Sequence, residues 1–179
     1  MIKASIRSNA LAKINLFLHV TGKRVDGYHY LESMVGFADF AHDVLTIQNS
    51  PDFSFEVVGP FAPELEEQEE RKNLVVMMHD LLQNFTGRPL PCYMKLEKNL
   101  PIGSGLGGGS SDAASALKLM ESFFNLNLNE DMKRHLMVMI GADVPVCYTK
   151  QTSYFSGIGE VIEPAPELPP APMLLVWPG

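Results

Sequence analysis

Leu100-Pro-Ile-Gly-Ser-Gly-Leu-Gly-Gly-Gly-Ser-Ser-Asp-Ala-Ala-Ser-Ala-Leu117 is the stretch the rest of the chain serves. Between Gly103 and Gly109, five of seven residues are glycine. Glycine loses more backbone freedom on ordering than any other residue, so such a run needs a reason, and close approach of backbone to a ligand supplies one. Ser110, Ser111 and Asp112 suit a helix N-terminus. Ala113, Leu117, Met120 and Phe124 then recur at the three-to-four spacing of an apolar stripe. A glycine loop feeding a helix start is an anion site, because free N–H groups and the positive end of the helix dipole point the same way.

Several glycine loops can be told apart by their neighbours. A Walker loop needs Gly-Lys-Ser/Thr, whereas Gly108 is followed by Gly109 and Ser110. Gly103 to Gly108 satisfies G-x-G-x-x-G, but a dinucleotide fold wants an acid ending the next strand about twenty residues on, and Glu121 falls short of that, on a helix face. A nucleophile elbow fails because Asp112 follows Ser110-Ser111. A flexible linker would not run into a capped, striped helix. Pro-x-x-x-Gly-Leu-Gly-Gly-x-Ser-Ser at Pro101 to Ser111 resembles the phosphate-binding motif of the GHMP small-molecule kinases.

The chain has 179 residues, enough for one sizeable core, with 46% hydrophobic and 20% charged residues. No apolar run reaches membrane-spanning length and no signal-peptide core is present, so the expected location is the cytoplasm. Cys92 and Cys147 read as reduced core thiols rather than a disulfide or a metal site. A net charge of −7 argues against nucleic-acid and anionic-membrane surfaces, so phosphate binding must rest on a backbone-lined pocket with a few placed lysines.

Ser8 to Val20 reads as a strand with Leu11, Lys13, Asn15, Phe17 and His19 on one face and Ala12, Ile14, Leu16 and Leu18 on the other. Lys13 is either an edge lysine whose head reaches water or a cation aimed into a site, with Asn15 beside it. Asp26-Gly27 marks a turn, followed by Tyr28 and His29, which alone could be a loop anchor or a binding pair. Leu31 to Phe40 reads as a strand or short helix, and Asp43–Gln48 and Phe53–Val58 as strands, together one antiparallel sheet. Glu64 to Glu70 is a solvated loop or helix start. Leu74, Met77, Met78, Leu81 and Leu82 predict a helix, and Cys92 to Lys98 the strand entering the glycine loop. Met132, Leu136, Met139 and Ile140 predict another helix, ending at Gly141. Asp143 then either lies in a plain turn or is functional, and just past a helix C-terminus it would face the negative end of the dipole. Gly157-Ile-Gly159 predicts a hairpin, Glu163–Pro172 a proline-rich connection, and Met173–Trp177 a final strand.

Taken together, Ala12-Lys13-Ile-Asn15-Leu-Phe-Leu, Arg24-Val-Asp26-Gly-Tyr28-His29, Asn73-Leu-Val, Lys98-Asn-Leu-Pro101 with the loop, Gly141-Ala-Asp-Val-Pro145 and Gly157-Ile-Gly-Glu160 resemble the 4-diphosphocytidyl-2-C-methyl-D-erythritol kinase family of GHMP kinases. The resemblance implies an α+β domain of the ribosomal protein S5 domain 2-like type, a mostly antiparallel sheet packed against helices. It implies ATP and Mg2+ as cofactors, the magnesium carried on ATP with a loop serine as a ligand and no protein metal site. It makes Asp143 the general base and Lys13 the holder of that carboxylate and of the transferring phosphoryl group, two opposite charges that would answer each other's burial cost. Asn15, Tyr28, His29 and Ile158 would surround the cytidine diphosphate end of the alcohol substrate. Asn73 and Lys98 would flank adenine. Pro101, Gly103, Ser104, Gly105, Leu106, Gly107, Gly108, Gly109, Ser110 and Ser111 would cradle the phosphates. Residues 1–162 would be the nucleotide-binding domain, and 163–179 the connection to a second domain beyond Gly179. The competing expectations are a GHMP kinase acting on mevalonate, homoserine or a sugar, a dinucleotide-binding oxidoreductase fragment, and a non-catalytic nucleotide binder. Oligomeric state has no sequence signal.

Overall fold

Two long strands, β1 (Ser5–Lys23) and β2 (His29–Gln48), pair antiparallel along their whole lengths and form the spine of the molecule. The computed structural model describes residues 5–23, 25, 27, 29–66, 72–157, 159 and 161–178. On its other edge β2 carries two shorter strands. β4 (Tyr93–Glu97) pairs antiparallel with Val44–Gln48, and β5 (Ser153–Gly157) with Leu31–Val35. β3 (Ser54–Val58) lies outside β4 and β6 (Val161–Pro164) outside β5, completing six strands. The segment expected to be a strand or short helix at Leu31–Phe40 is continuous with the next strand inside β2.

Pairing is antiparallel everywhere except between β3 and β4. The antiparallel expectation therefore needs one correction: β3 runs parallel to β4 and does not touch β2. A parallel neighbour demands a crossover, and α1 (Pro63–Glu66) and α2 (Leu74–Thr86) lie in it.

The β1–β2 register slips from Leu11↔His42 to Ala12↔Ala38, so Asp39, Phe40 and Ala41 bulge from β2. The slip breaks simple alternation. Ala12 and Lys13, adjacent in sequence, are both buried. Beyond it Leu16 and Leu18 are exposed, although alternation sets them on the same face as buried Ala12.

α3 (Gly108–Phe123) packs on β1 and β2 and buries Ala113, Ala114, Ala116, Leu117 and Met120, the three alanines letting the helix come close to the sheet. α2 packs beside it, capped by Asn73 and closed by left-handed Gly87. α4 (Glu130–Ile140) buries Leu136, as the stripe predicts, and half-buries Ile140, but Met137 takes the place of Met132 and Met139, which are exposed. α5 (Val144–Thr149) occupies the region read as a turn. Met173–Trp177 forms no strand: no neighbouring strand offers it hydrogen bonds, and Leu174 and Val176 face solvent. Cys92 and Cys147 are free, buried thiols, pushed up to about 12 by burial. Among the described residues no helix is long and apolar enough to cross a membrane.

Candidate active site

Leu100 to Gly107 links β4 to α3, and left-handed backbone at Gly103, Gly105 and Gly107 folds it into a cup. Gly107 is the N-cap of α3 at φ 64°, and no side chain caps it, so the first N–H groups of a 16-residue helix open toward the cup. A cavity of about 360 Å3 lies there, within the range of small-molecule sites. Pro101 and Gly103 through Ser110 line it, together with Asn73 and Lys98. Ser111 does not. Its hydroxyl turns inward and donates to the Leu11 carbonyl at 2.7 Å, tying α3 to β1. The Ser104 hydroxyl likewise closes the loop on itself by donating to the Pro101 carbonyl at 2.7 Å.

One wall of the cup is β1. The Lys13 N–H donates to the Leu106 carbonyl at 2.8 Å, using the strand edge that β2 leaves free. A Cβ at Gly107 would stand 3.1 Å from both Cβ and Cε of Lys13, so loop and lysine are packed to the limit. The lysine head lies 2.8 Å from Asp143 Oδ2 and donates to Asn15 Oδ1 at 3.2 Å. It also sits 5.6 Å from the Phe155 ring centroid. The lysine side chain is 4% exposed and that of Asp143 37%, so the cation is enclosed while its carboxylate remains open to a reactant.

Asp143 is the N-cap residue of α5, with Pro145 in the first turn. Asp143 thus stands between the C-terminus of α4 and the N-terminus of α5, so the positive end of α5 offsets the negative end anticipated from the sequence. Gly159, at φ 111°, brings the β5–β6 turn against Ala142, where a Cβ would meet the Ala142 carbonyl at 3.0 Å. The turn bearing Asp143 is thus held from both sides.

Other expected residues stand apart from this pair. His29 is exposed and opposite Lys23, ten positions along β1 from Lys13. Tyr28 and Ile158 lie outside the described residues, as do Arg24, Asp26 and Glu160. The Asn73 carboxamide oxygen accepts from the Val75 N–H at 3.0 Å as a helix cap. Lys98 is 3% exposed, and its ammonium contacts Asp43 Oδ2 at 2.5 Å and Asp112 Oδ2 at 2.8 Å. Burial pulls the Lys98 ammonium down, but the two carboxylates outweigh it and hold it above the usual lysine range. Sequence reasoning missed Asp43 and the inward role of Asp112. The signal was an acid entering an otherwise apolar strand, Asp43-Val-Leu-Thr-Ile, which rarely stays buried without a cation.

A glycine cup at a helix start, with a lysine–aspartate pair on its rim, is carried here on the fold of a GHMP kinase N-terminal domain. Residues 73–151 match the family model of the GHMP kinases N terminal domain. The chain is similar to 4-diphosphocytidyl-2-C-methyl-D-erythritol kinases. It is 46% identical over 172 residues to that of Chelativorans sp., covering 95% of this chain and 57% of the relative. It is 43% identical over 174 residues to that of Paramagnetospirillum magneticum, covering 97% and 60%. The chain thus spans less than two thirds of the length of these relatives. A crystal structure of 4-(cytidine 5'-diphospho)-2C-methyl-D-erythritol kinase superposes with a TM-score of 0.73 at 31% identity, over 89% of this chain and 55% of that one. The mevalonate kinase of Methanococcus jannaschii, at 15% identity and a TM-score of 0.64 over 90% of this chain and 56% of that one, shares the fold.

Proposed function

We propose that this chain is the nucleotide-binding part of an ATP-dependent kinase that phosphorylates the 2-hydroxyl of 4-diphosphocytidyl-2-C-methyl-D-erythritol, a step toward isoprenoid precursors. The observation that carries the reading is the 2.8 Å pair of Lys13 and Asp143 on the rim of the glycine cup, tied to it through the Leu106 carbonyl. Identity to relatives of that name along 95% of the chain supports the substrate. Residues 1–162 form the nucleotide-binding unit in this reading, with 163–179 leading toward the remainder found in the relatives. Free, buried thiols agree with a cytoplasmic enzyme.

Phosphoryl transfer passes through a loose transition state, so the protein's work is positioning and charge neutralisation. N–H groups at the start of α3 hold the phosphate chain. Lys13 faces the transferring group from β1. Asp143, open to the reactant side, accepts the proton of the substrate hydroxyl as the oxygen bonds to the γ-phosphorus and the bond from that phosphorus to the ADP oxygen breaks. Asn15 keeps the ammonium in place, and in this reading Tyr28 and His29 recognise the cytidine end of the alcohol. Magnesium supplies charge neutralisation between phosphate oxygens. Magnesium retains waters and needs few protein ligands, so Ser110, which lines the cavity, would be the residue to hold it.

The test is transfer from ATP to 4-diphosphocytidyl-methylerythritol, mevalonate, homoserine and a sugar. It compares the 179-residue chain with the same chain continued by the C-terminal part of the Chelativorans relative. The continued chain should phosphorylate the cytidine-linked alcohol, and the 179 residues alone should turn over slowly or not at all. Preference for another alcohol, or an Asp143→Asn variant as fast as the unchanged sequence, overturns the reading.

A further inference from the structure

Side chains join α5 to β1 at three levels. At the start of the helix Asp143 meets Lys13 at 2.8 Å. In its middle the Cys147 thiol lies within hydrogen-bonding reach of the Ser111 hydroxyl, which itself donates to the Leu11 carbonyl at 2.7 Å. At its end the Lys150 ammonium donates to the Asn9 carbonyl at 2.5 Å and to the Ser8 hydroxyl at 3.4 Å. Asp143, Cys147 and Lys150 are spaced i, i+4, i+7, so they share one face of the helix. Their partners on β1, Lys13, Leu11 and Asn9, follow in reverse chain order, so α5 is pinned along the strand rather than at one point. Val144, Val146 and Cys147 seat the helix in the core and set its depth, while these contacts fix its slide along β1.

Lys150 is an unusual residue for its place. It is the C-cap of α5 at φ 54°, a left-handed position that glycine fills without strain. Asn125 is the other non-glycine residue with positive φ among the described residues, and asparagine tolerates that conformation better than lysine. The ammonium is also half withdrawn from water. Among the described residues no carboxylate pairs with it, and burial, then the neighbouring charge of Lys118, pull it below the usual lysine range. What it gains is a charge-assisted bond to a main-chain carbonyl on the strand that carries Lys13. A six-residue helix is too short to hold its own direction, so the fixing of one end governs the other.

We propose that Lys150 is a positioning residue for phosphoryl transfer: by anchoring the end of α5 to the free edge of β1, it sets the reach of Asp143, at the other end, toward Lys13 and the reacting hydroxyl. This rests on Asp143 acting as the base, as argued above. Lys150 does not line the phosphate cavity, so nucleotide binding should not sense it.

The experiment compares Lys150→Gly, Lys150→Met and Lys150→Arg in the continued chain, with 4-diphosphocytidyl-methylerythritol as the alcohol. Glycine suits the left-handed backbone, so Lys150→Gly should resist urea at least as well as the unchanged sequence while losing the anchor. It carries the test even if the methionine variant fails to fold. A misplacement of about 1 Å costs up to about a hundredfold in rate, so kcat should fall roughly tenfold in the glycine and methionine variants, with KM for ATP within about twofold of the unchanged value. Lys150→Arg keeps a cationic donor and should recover most of the loss. A lysine that merely capped the helix would give another order, with Lys150→Gly the fastest of the three. A crystal structure of the 179-residue chain carrying Lys150→Gly reads the cause apart from activity. The Lys13–Asp143 separation should lengthen from 2.8 Å to beyond the roughly 4 Å of an ion pair. An unchanged kcat in Lys150→Gly, or a pair still at 2.8 Å in that structure, overturns the proposal. No transfer by the unchanged continued chain, or an Asp143→Asn variant as fast as it, brings the proposal down together with the kinase reading. A slow Asp143→Asn beside a fast Lys150→Gly brings it down alone.

Discussion

Lys13 and Lys98 flank the same glycine loop, one at each end, and both are buried to the same 3%. Their partners differ. Lys13 faces a single carboxylate that is 37% exposed and a carboxamide on an exposed stretch of strand. Lys98 is enclosed by two carboxylates, one 0% and one 3% exposed, that belong to different elements. Equal burial of the two cations therefore hides unequal function: an ammonium whose counter-charge is open can trade it for a reactant, while one whose counter-charges are sealed holds pieces of the fold together. Under the proposed function, chemistry sits on the β1 side of the loop and assembly on the β4 side.

The largest effect that separates the two sides is on stability. Lys98→Met leaves two buried carboxylates without a cation, and breaking a buried pair in this way costs about 3–5 kcal/mol. Lys13→Met removes an ammonium whose carboxylate can turn to water, so its cost should stay within about 1 kcal/mol. Urea denaturation of both variants at one pH reads this directly. Equal losses would erase the distinction between the two lysines.

Glycine substitution sharpens it next. Gly103 and Gly107 have nearly the same backbone, φ 68° and 64°, but a Cβ at Gly103 meets nothing within 4 Å while one at Gly107 lies 3.1 Å from the Lys13 side chain. Alanine at either position carries about 1–2 kcal/mol of left-handed strain. Only Gly107→Ala also displaces Lys13. ADP affinity and denaturation measured together should show similar stability losses, with the greater loss of transfer in Gly107→Ala when the chain is continued as above. A Gly103→Ala variant that lost as much transfer would mean the cup's tip, not its contact with β1, governs the chemistry.

The β1 side of this comparison was legible in the sequence and the β4 side was not. Five glycines followed by cap residues and an alanine-rich stripe announce a loop and helix, and Lys13 stands out as a charge inside an apolar strand. Asp43 carried a weaker mark, an acid opening the predicted strand Asp43–Gln48, and nothing local sets beside it a lysine 55 residues away. Strand alternation has no direction, so nothing local could make β3 parallel to β4. α5 was hidden by its composition: Val, Cys and Tyr suit strands, although Asp143 as cap and Pro145 in the first turn were helix-start signals in plain view. Met173–Trp177 shows the converse, since an apolar run becomes a strand only where a neighbour offers hydrogen bonds.

The smallest expected effect concerns Asn15, which gives the open lysine its second partner. Its side-chain oxygen accepts from Lys13 at 3.2 Å on an exposed residue, so Asn15→Ala should change stability by no more than about 0.5 kcal/mol. The lysine head then swings on one anchor instead of two. A hydrogen bond of this kind contributes about 0.5–1.5 kcal/mol, which is about two- to tenfold in rate if it is needed only while the phosphoryl group is in flight. Transfer by the continued chain should fall by that factor at saturating ATP, with ADP affinity unchanged because the loop N–H groups do not touch Asn15. Asn15→Asp should do worse despite keeping an acceptor, since a second carboxylate would compete with Asp143 and the phosphate for the same ammonium. If Asn15→Asp instead matched the unchanged sequence, the open lysine would tolerate two acids as Lys98 does, and the contrast between the two ends of the loop would lose its electrostatic basis.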